Sequence, residues 1–153
     1  MKLSPNFSLA EFTKSQTAER KGLDNTPSEE HLVAAQSLFL MVVQKVRDHF
    51  GPTVINSGYR GPELNEAVGG SSKSQHCKGE AVDIEVPGVP NATVAEWIRD
   101  NLEFDQLILE FYTPGIPDSG WVHVSYKHGE NRKSVLTASR VDGKTHYAVG
   151  INS

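Results

Sequence analysis

Cysteine is nearly absent. Cys77 is the single one in 153 residues, so no intrachain disulfide can staple the fold, which must rest on an apolar core. Long hydrophobic runs are missing as well: nothing approaches the ~20 apolar residues of a membrane span. The opening MKLSPNFSLAEF has neither the apolar segment nor the small-residue cleavage site of a signal peptide. There is no excess of basic charge. Fifteen Lys and Arg stand against nineteen Asp and Glu, a net charge of −4, which gives no reason to expect nucleic acid or an anionic lipid surface as partner. Repeats and low-complexity tracts are lacking too. What remains is an ordinary globular composition, 37% hydrophobic and 22% charged, at a length that suits a single domain over residues 1–153.

The elements follow from periodicity and turn chemistry. The stretch to about Asn25 is polar, with Leu9, Phe12 and Leu23 as its expected attachments to the core. Thr26-Pro27-Ser28-Glu29 reads as a capping box with proline at the first helical position. Behind it Leu32, Ala35, Phe39, Val42, Val43 and Val46 recur at helical spacing until Gly51-Pro52. TVIN (53–56) is a short strand entering the turn Ser57-Gly58-Tyr59-Arg60, and 62–68 suits a short helix ending at Gly69-Gly70. AVDIEV (81–86) alternates, with Val82, Ile84 and Val86 on one face and Ala81, Asp83 and Glu85 on the other. A second capping box at Thr93–Glu96 predicts a helix to about Asn101. LILEFY (107–112) and WVHVSY (121–126) have strand composition, and short strands are expected at 134–138 and 145–149. Helices and short strands without βαβ alternation point to an α+β domain whose sheet is mainly antiparallel.

Chemistry concentrates in Ser74-Gln75-His76-Cys77-Lys78-Gly79-Glu80-Ala81-Val82-Asp83. His76 and Asp83 converge if the histidine sits on a loop that enters the strand carrying the aspartate. Gly79 permits the turn, and Ala81 leaves space open on Asp83's face. An imidazole and a carboxylate aimed at one point are two-thirds of a three-ligand metal site with an open position. His123 fits as the third ligand, on the face of its strand opposite Val122 and Val124. By spacing alone, a solvated histidine and a backbone-satisfied aspartate are the more usual outcome. His31, His49, His128 and His146 lie in helical or polar contexts that suggest no ligand role. Cys77 beside His76 does not make a nucleophile pair, because adjacent side chains diverge.

The string S-x-H-x-x-G-x-A-x-D, followed some forty residues later by W-x-H, resembles the M15 family of zinc peptidases. Among these are D-alanyl-D-alanine carboxypeptidases, dipeptidases and the L-alanyl-D-glutamate peptidases of phage endolysins. Ser57-Gly58-Tyr59-Arg60 and Phe104-Asp105-Gln106-Leu107 extend the likeness over roughly residues 26–126. It implies Zn²⁺ held by His76, Asp83 and His123 in a cleft on the sheet. Arg60 is implied to bind substrate or meet charge developing on its carbonyl oxygen, tasks that suit a permanently protonated fork. Ser74 matches the motif serine, and Trp121, on His123's face, is a candidate cleft wall.

Many family members carry an acid three residues before the second histidine; here Gly120 stands there. Glu110 is the first candidate for general base, on the face of LILEFY shared with Ile108 and Tyr112, and beside His123 if that strand pairs with WVHVSY. Asp118, in the preceding loop, is the second. The reading is a zinc peptidase that hydrolyses the stem peptide of peptidoglycan, as carboxypeptidase or endolysin. The alternatives are an inactive, metal-retaining cell-wall-binding or phage structural module, and a small structural-zinc protein. The chain is expected to act as a monomer on a peptidoglycan peptide. It is expected to be cytoplasmic at synthesis and, in a phage setting, released to the wall by a holin.

Overall fold

Apolar residues at helical spacing build the longest rod of the molecule. In the computed structural model, which describes residues 1–71 and 73–151, it runs through α3 (Glu29–Leu38), a wider π-type turn at Phe39–Val43 and α4 (Gln44–Phe50). Ala35, Leu38, Phe39, Val42, Val43 and Val46 on this rod are fully buried. Its start differs from the capping box expected at Thr26. The cap is Ser28, whose hydroxyl accepts from the His31 N–H, and Pro27 lies ahead of it. Thr26 is already committed, since its N–H and hydroxyl both donate to the Asp24 carboxylate.

Ahead of the rod, β1 (Lys2–Ser4) and β2 (Phe7–Ser8) form a small hairpin, followed by α1 (Leu9–Thr13) and α2 (Gln16–Lys21). Phe12 is fully buried and meets Phe39 edge-on at 5.3 Å, while Leu9 and Leu23 are half-buried. Leu3 and Phe7, absent from the expected attachments, are buried as well. The short α5 (Pro62–Ala67) ends before Gly69, as expected. Helix α6 (Asn91–Asn101) begins two residues before Thr93. Pro90 has a fixed φ of −56° that leads straight into it, so Thr93 sits inside the first turn rather than capping it.

One six-stranded sheet runs in the order β3 (Val54–Ser57), β4 (Ala81–Glu85), β6 (Trp121–Ser125), β5 (Gln106–Glu110), β7 (Ser134–Val141), β8 (Lys144–Val149). Every neighbouring pair is antiparallel except β5 with β7. This single-domain α+β architecture is the one expected. LILEFY is a shorter strand than its composition suggests. Phe111 turns to φ 55° and breaks the alternation that would have placed it beside Leu109. The last two strands are longer than expected and meet across Asp142-Gly143, both at positive φ, as a two-residue hairpin requires.

Alternation gives the central strands two unlike faces. Val82, Ile84, Leu107, Leu109, Val122 and Val124 point into the core shared with the helical rod and α6, all fully buried. The other face holds rows of residues set by the register. Asp83, His123, Ile108 and Leu136 form one row, and Trp121, Glu110, Ala138 and Tyr147 the next. No helix among the described residues is long and apolar enough to cross a membrane.

Candidate active site

The β4–β6 register places Asp83 directly opposite His123, and the His123 Nδ1 lies 3.0 Å from Asp83 Oδ1. His76 arrives from a single 3₁₀ turn, Gln75–Lys78. Ser74 caps that turn, its hydroxyl accepting from the His76 N–H at 3.2 Å. Gly79 closes it at φ 74°, where a Cβ would collide with the His31 carbonyl oxygen, so the loop is seated against α3. His76 Nδ1 donates to the Gly58 carbonyl at 2.8 Å, which turns Nε2 toward Asp83, 3.4 Å from its Oδ1. The candidate ligand atoms of His76, Asp83 and His123 all lie within 4.8 Å of one another.

His76 and Asp83 are buried and His123 is half-buried. Burial pushes the Asp83 carboxyl up, but the hydrogen bonds and charge of the two imidazoles outweigh it. The carboxyl ends well below its ordinary range and is therefore ionised. Two imidazole nitrogens and one carboxylate oxygen, with no fourth protein ligand in the group, are a donor set that suits a divalent metal with an open position. The Gly58 carbonyl on His76 Nδ1 supplies the outer contact that orients such a ligand.

Around this group lies a cleft of about 820 Å³. Arg60 enters it from the turn after β3: its backbone N–H donates to the His76 carbonyl at 3.1 Å. Its Nη2 lies 3.3 Å from Ser57 Oγ and 3.9 Å from Asp83 Oδ2. Glu110 also lines the cleft, opposite Trp121 and one row along from His123 rather than straight across from it, the place taken by Ile108. Burial raises the Glu110 carboxyl above its ordinary range. The Asp83 charge adds to that rise, while His123, the Trp121 N–H and Arg60 oppose it. Ser74 and Trp121 are lining residues too.

Asp118 is not. It is exposed in the loop before β6 and faces a separate depression beside Val54 and Pro87. Gly120 has a positive φ of 65°, and a Cβ there would collide with the Glu110 carbonyl oxygen and the Phe111 backbone. No side chain fits at the position where many M15 members carry an acid. The Cys77 thiol is half-buried, and burial pushes its pKa up, which keeps it protonated.

Several lining residues have no sequence signal of their own: Gln75, Arg132 and Tyr147; Ile108 shares Glu110's face by alternation. Asp105, noted only within the Phe104–Leu107 string, is buried at the cleft edge. It accepts from Gln75 Nε2 at 3.0 Å, from the Arg132 backbone N–H at 3.1 Å, and from Arg132 Nε and Nη2 at 3.0 and 2.9 Å.

No match to a curated protein was found. The sequence pattern of one family, described as Peptidase M15, does match residues 5–125, from just after β1 to the end of β6, and takes in the candidate metal group. On that match, which covers well over half of its length, the chain belongs to the M15 peptidase family.

Proposed function

We propose that the chain is a zinc-dependent peptidase that hydrolyses peptide bonds in the stem peptide of peptidoglycan. The observation that carries this reading is the convergence of His76, Asp83 and His123 at the floor of a cleft that Glu110 and Arg60 also line. Those three residues would hold Zn²⁺, which when bound supplies a Lewis acid and lowers the pKa of water. Glu110 takes the proton of the attacking water and returns it to the leaving amine. Its pKa, raised by burial and by the Asp83 charge, makes it a better proton acceptor than an ordinary carboxylate. Arg60 stays protonated and offers N–H donors to a substrate carboxylate or to the oxygen on which charge develops. Trp121 and Ile108 provide apolar wall and floor for the peptide backbone.

Glu110 also answers the missing acid before the second histidine. The tight turn at Gly120 brings that backbone against β5, and the carboxylate is delivered from β5 instead. The test is mass spectrometry of peptidoglycan fragments after incubation with zinc-loaded protein. New peptide termini are expected, and they should disappear with Glu110→Gln. Zinc binding with intact fragments would instead favour a wall-binding module.

A further inference from the structure

The end of the cleft away from Glu110 is built around a buried acid. Asp105 immediately precedes β5 and is only 2% exposed, yet its two carboxylate oxygens accept four hydrogen bonds, three of them from Arg132. Those bonds and the Arg132 charge hold its carboxyl below the ordinary range despite burial, so Arg132 faces a formal negative charge. The guanidinium meets Asp105 side-on, through Nε and Nη2. A guanidinium has five N–H groups, so the end-on edge formed by Nη1 and the second Nη2 hydrogen lies outside this pair. The Arg132 side chain is 60% exposed and lines the same cleft as the metal group. Neutralising Asp105 needs only the side-on edge. An end-on edge held open in a substrate cleft, with its fork fixed in advance, is an arrangement that binds a second carboxylate in two parallel hydrogen bonds.

The surroundings agree. Lys127 follows β6 at this end and lines the cleft, its charge shared with Glu130 across a loose 4.0 Å contact between exposed groups. Glu80 and Glu130 line the cleft as well, and Glu80 accepts from Gln75 Nε2 at 3.3 Å. Gln75 and Gln106 line the cleft beside Asp105 and Arg132. Asp105 lies three residues before Ile108, the partner of His123, which at ~3.4 Å per residue puts this subsite roughly 10 Å along the strand from the metal ligands. An extended peptide covers that distance in about three residues.

We propose that Arg132, held by Asp105, is a carboxylate-binding residue of the substrate cleft. It selects peptides that carry a free carboxylate about three residues from the bond that is cut. The proposal rests on the peptidase reading above, and Arg132 lies outside the matched residues 5–125.

The test uses two stem peptides that differ only in whether the acidic residue carries a free carboxylate or a carboxamide. For the zinc-loaded protein the acid peptide should have a kcat/KM ~10-fold higher, expressed mainly in KM, as one charged hydrogen-bond pair would give. In Arg132→Gln the two peptides should become equivalent, with zinc content unchanged. If both rates fall in parallel and the preference survives, Arg132 serves only the fold and the proposal is wrong. Should Arg132→Gln fail to fold, Arg132→Lys keeps a cation against Asp105 while losing the fork, and the same loss of preference is expected. Calorimetric binding of both peptides to Glu110→Gln protein separates this proposal from the peptidase reading. Tighter binding of the acid peptide without cleavage by the wild-type protein would sink the peptidase reading and keep the subsite. Equal cleavage of both peptides would do the reverse.

Discussion

The two faces of the central sheet are made from the same strands and by different rules. On one, Val82, Ile84, Leu107, Leu109, Val122 and Val124 are interchangeable in kind, apolar groups whose task is to fill volume. On the other, Asp83, His123 and Glu110 stand one residue away along the same backbone, and none could be replaced by a group of similar size without changing the chemistry. The core face contributes most of the burial that fixes the register. The register then places Asp83 opposite His123, and Glu110 one row beyond, with no further specification. Precision in the cleft is therefore inherited from packing behind it. The cleft residues depend on one another instead: the two imidazoles outweigh the cost of burying the Asp83 carboxylate, and neither side of that pairing fills volume in the core.

If that division holds, substitutions on the two faces should fail for different reasons. We predict that Leu109→Ala costs ~2–5 kcal/mol of folding stability, the range for emptying a packed core site. The protein that remains folded should keep its zinc. His123→Ala should abolish stoichiometric zinc, and any cost to the metal-free fold should come from the buried Asp83 carboxylate it leaves short of a partner, not from lost packing. Denaturant melts of the metal-free proteins, paired with elemental analysis, read both axes. A His123→Ala protein with a full complement of zinc would remove this histidine from the metal group.

The next largest effect sharpens the contrast within the cleft. We predict that Glu110→Gln keeps zinc and fold but loses at least ~10²-fold in turnover, the low end for removing a general base. Unchanged zinc with unchanged turnover would reassign the base. Arg60→Lys comes after it. Lysine preserves the charge beside Asp83 but not the planar fork, and losing one charge-assisted hydrogen bond is worth ~1.5 kcal/mol, about 10-fold in kcat/KM. Wild-type kinetics for Arg60→Lys on a muropeptide would leave it a turn residue bound to Ser57.

How much of this was legible beforehand depended on how local its cause was. The alternation in AVDIEV and WVHVSY shows which side chains share a face with Asp83 and with His123; that the two residues meet follows from the β4–β6 register. The motif around His76 was legible because a glycine-closed turn is written in adjacent residues. Causes that lie far apart in the chain were not. The reason for Gly120 is the backbone of Glu110 and Phe111, folded onto it by tertiary packing, and a sequence shows only a missing acid. Arg132 looks like any exposed arginine until Asp105, 27 residues earlier, is seen to hold it. Both misplaced helix starts are local but competitive: Thr26 prefers Asp24, and Pro90 starts α6 before Thr93 is reached. Nothing in the strand compositions distinguishes the parallel β5–β7 pair from an antiparallel one.

The smallest expected effect is the one that separates the cleft from its rim. Asp118 and Glu110 are both carboxylates close in sequence to His123, and the spacing alone leaves either available as base. Their surroundings differ. Glu110 lies on the cleft face beside Trp121, where burial and the Asp83 charge raise its pKa. Asp118 is exposed on the loop before β6, over the depression formed with Val54, Val86 and Pro87, and does not line the metal cleft. A base must come within hydrogen-bond reach of the water it deprotonates, directly or through one further water. We therefore predict that Asp118→Asn changes kcat/KM by no more than about twofold, the scatter of an exposed substitution away from any special contact. Steady-state kinetics of Asp118→Asn beside Glu110→Gln, on one muropeptide and at equal zinc loading, decide it. A dead Asp118→Asn with an active Glu110→Gln would mean that the loop carrying Asp118 closes over the cleft during turnover, and that the base belongs to the rim rather than to the sheet.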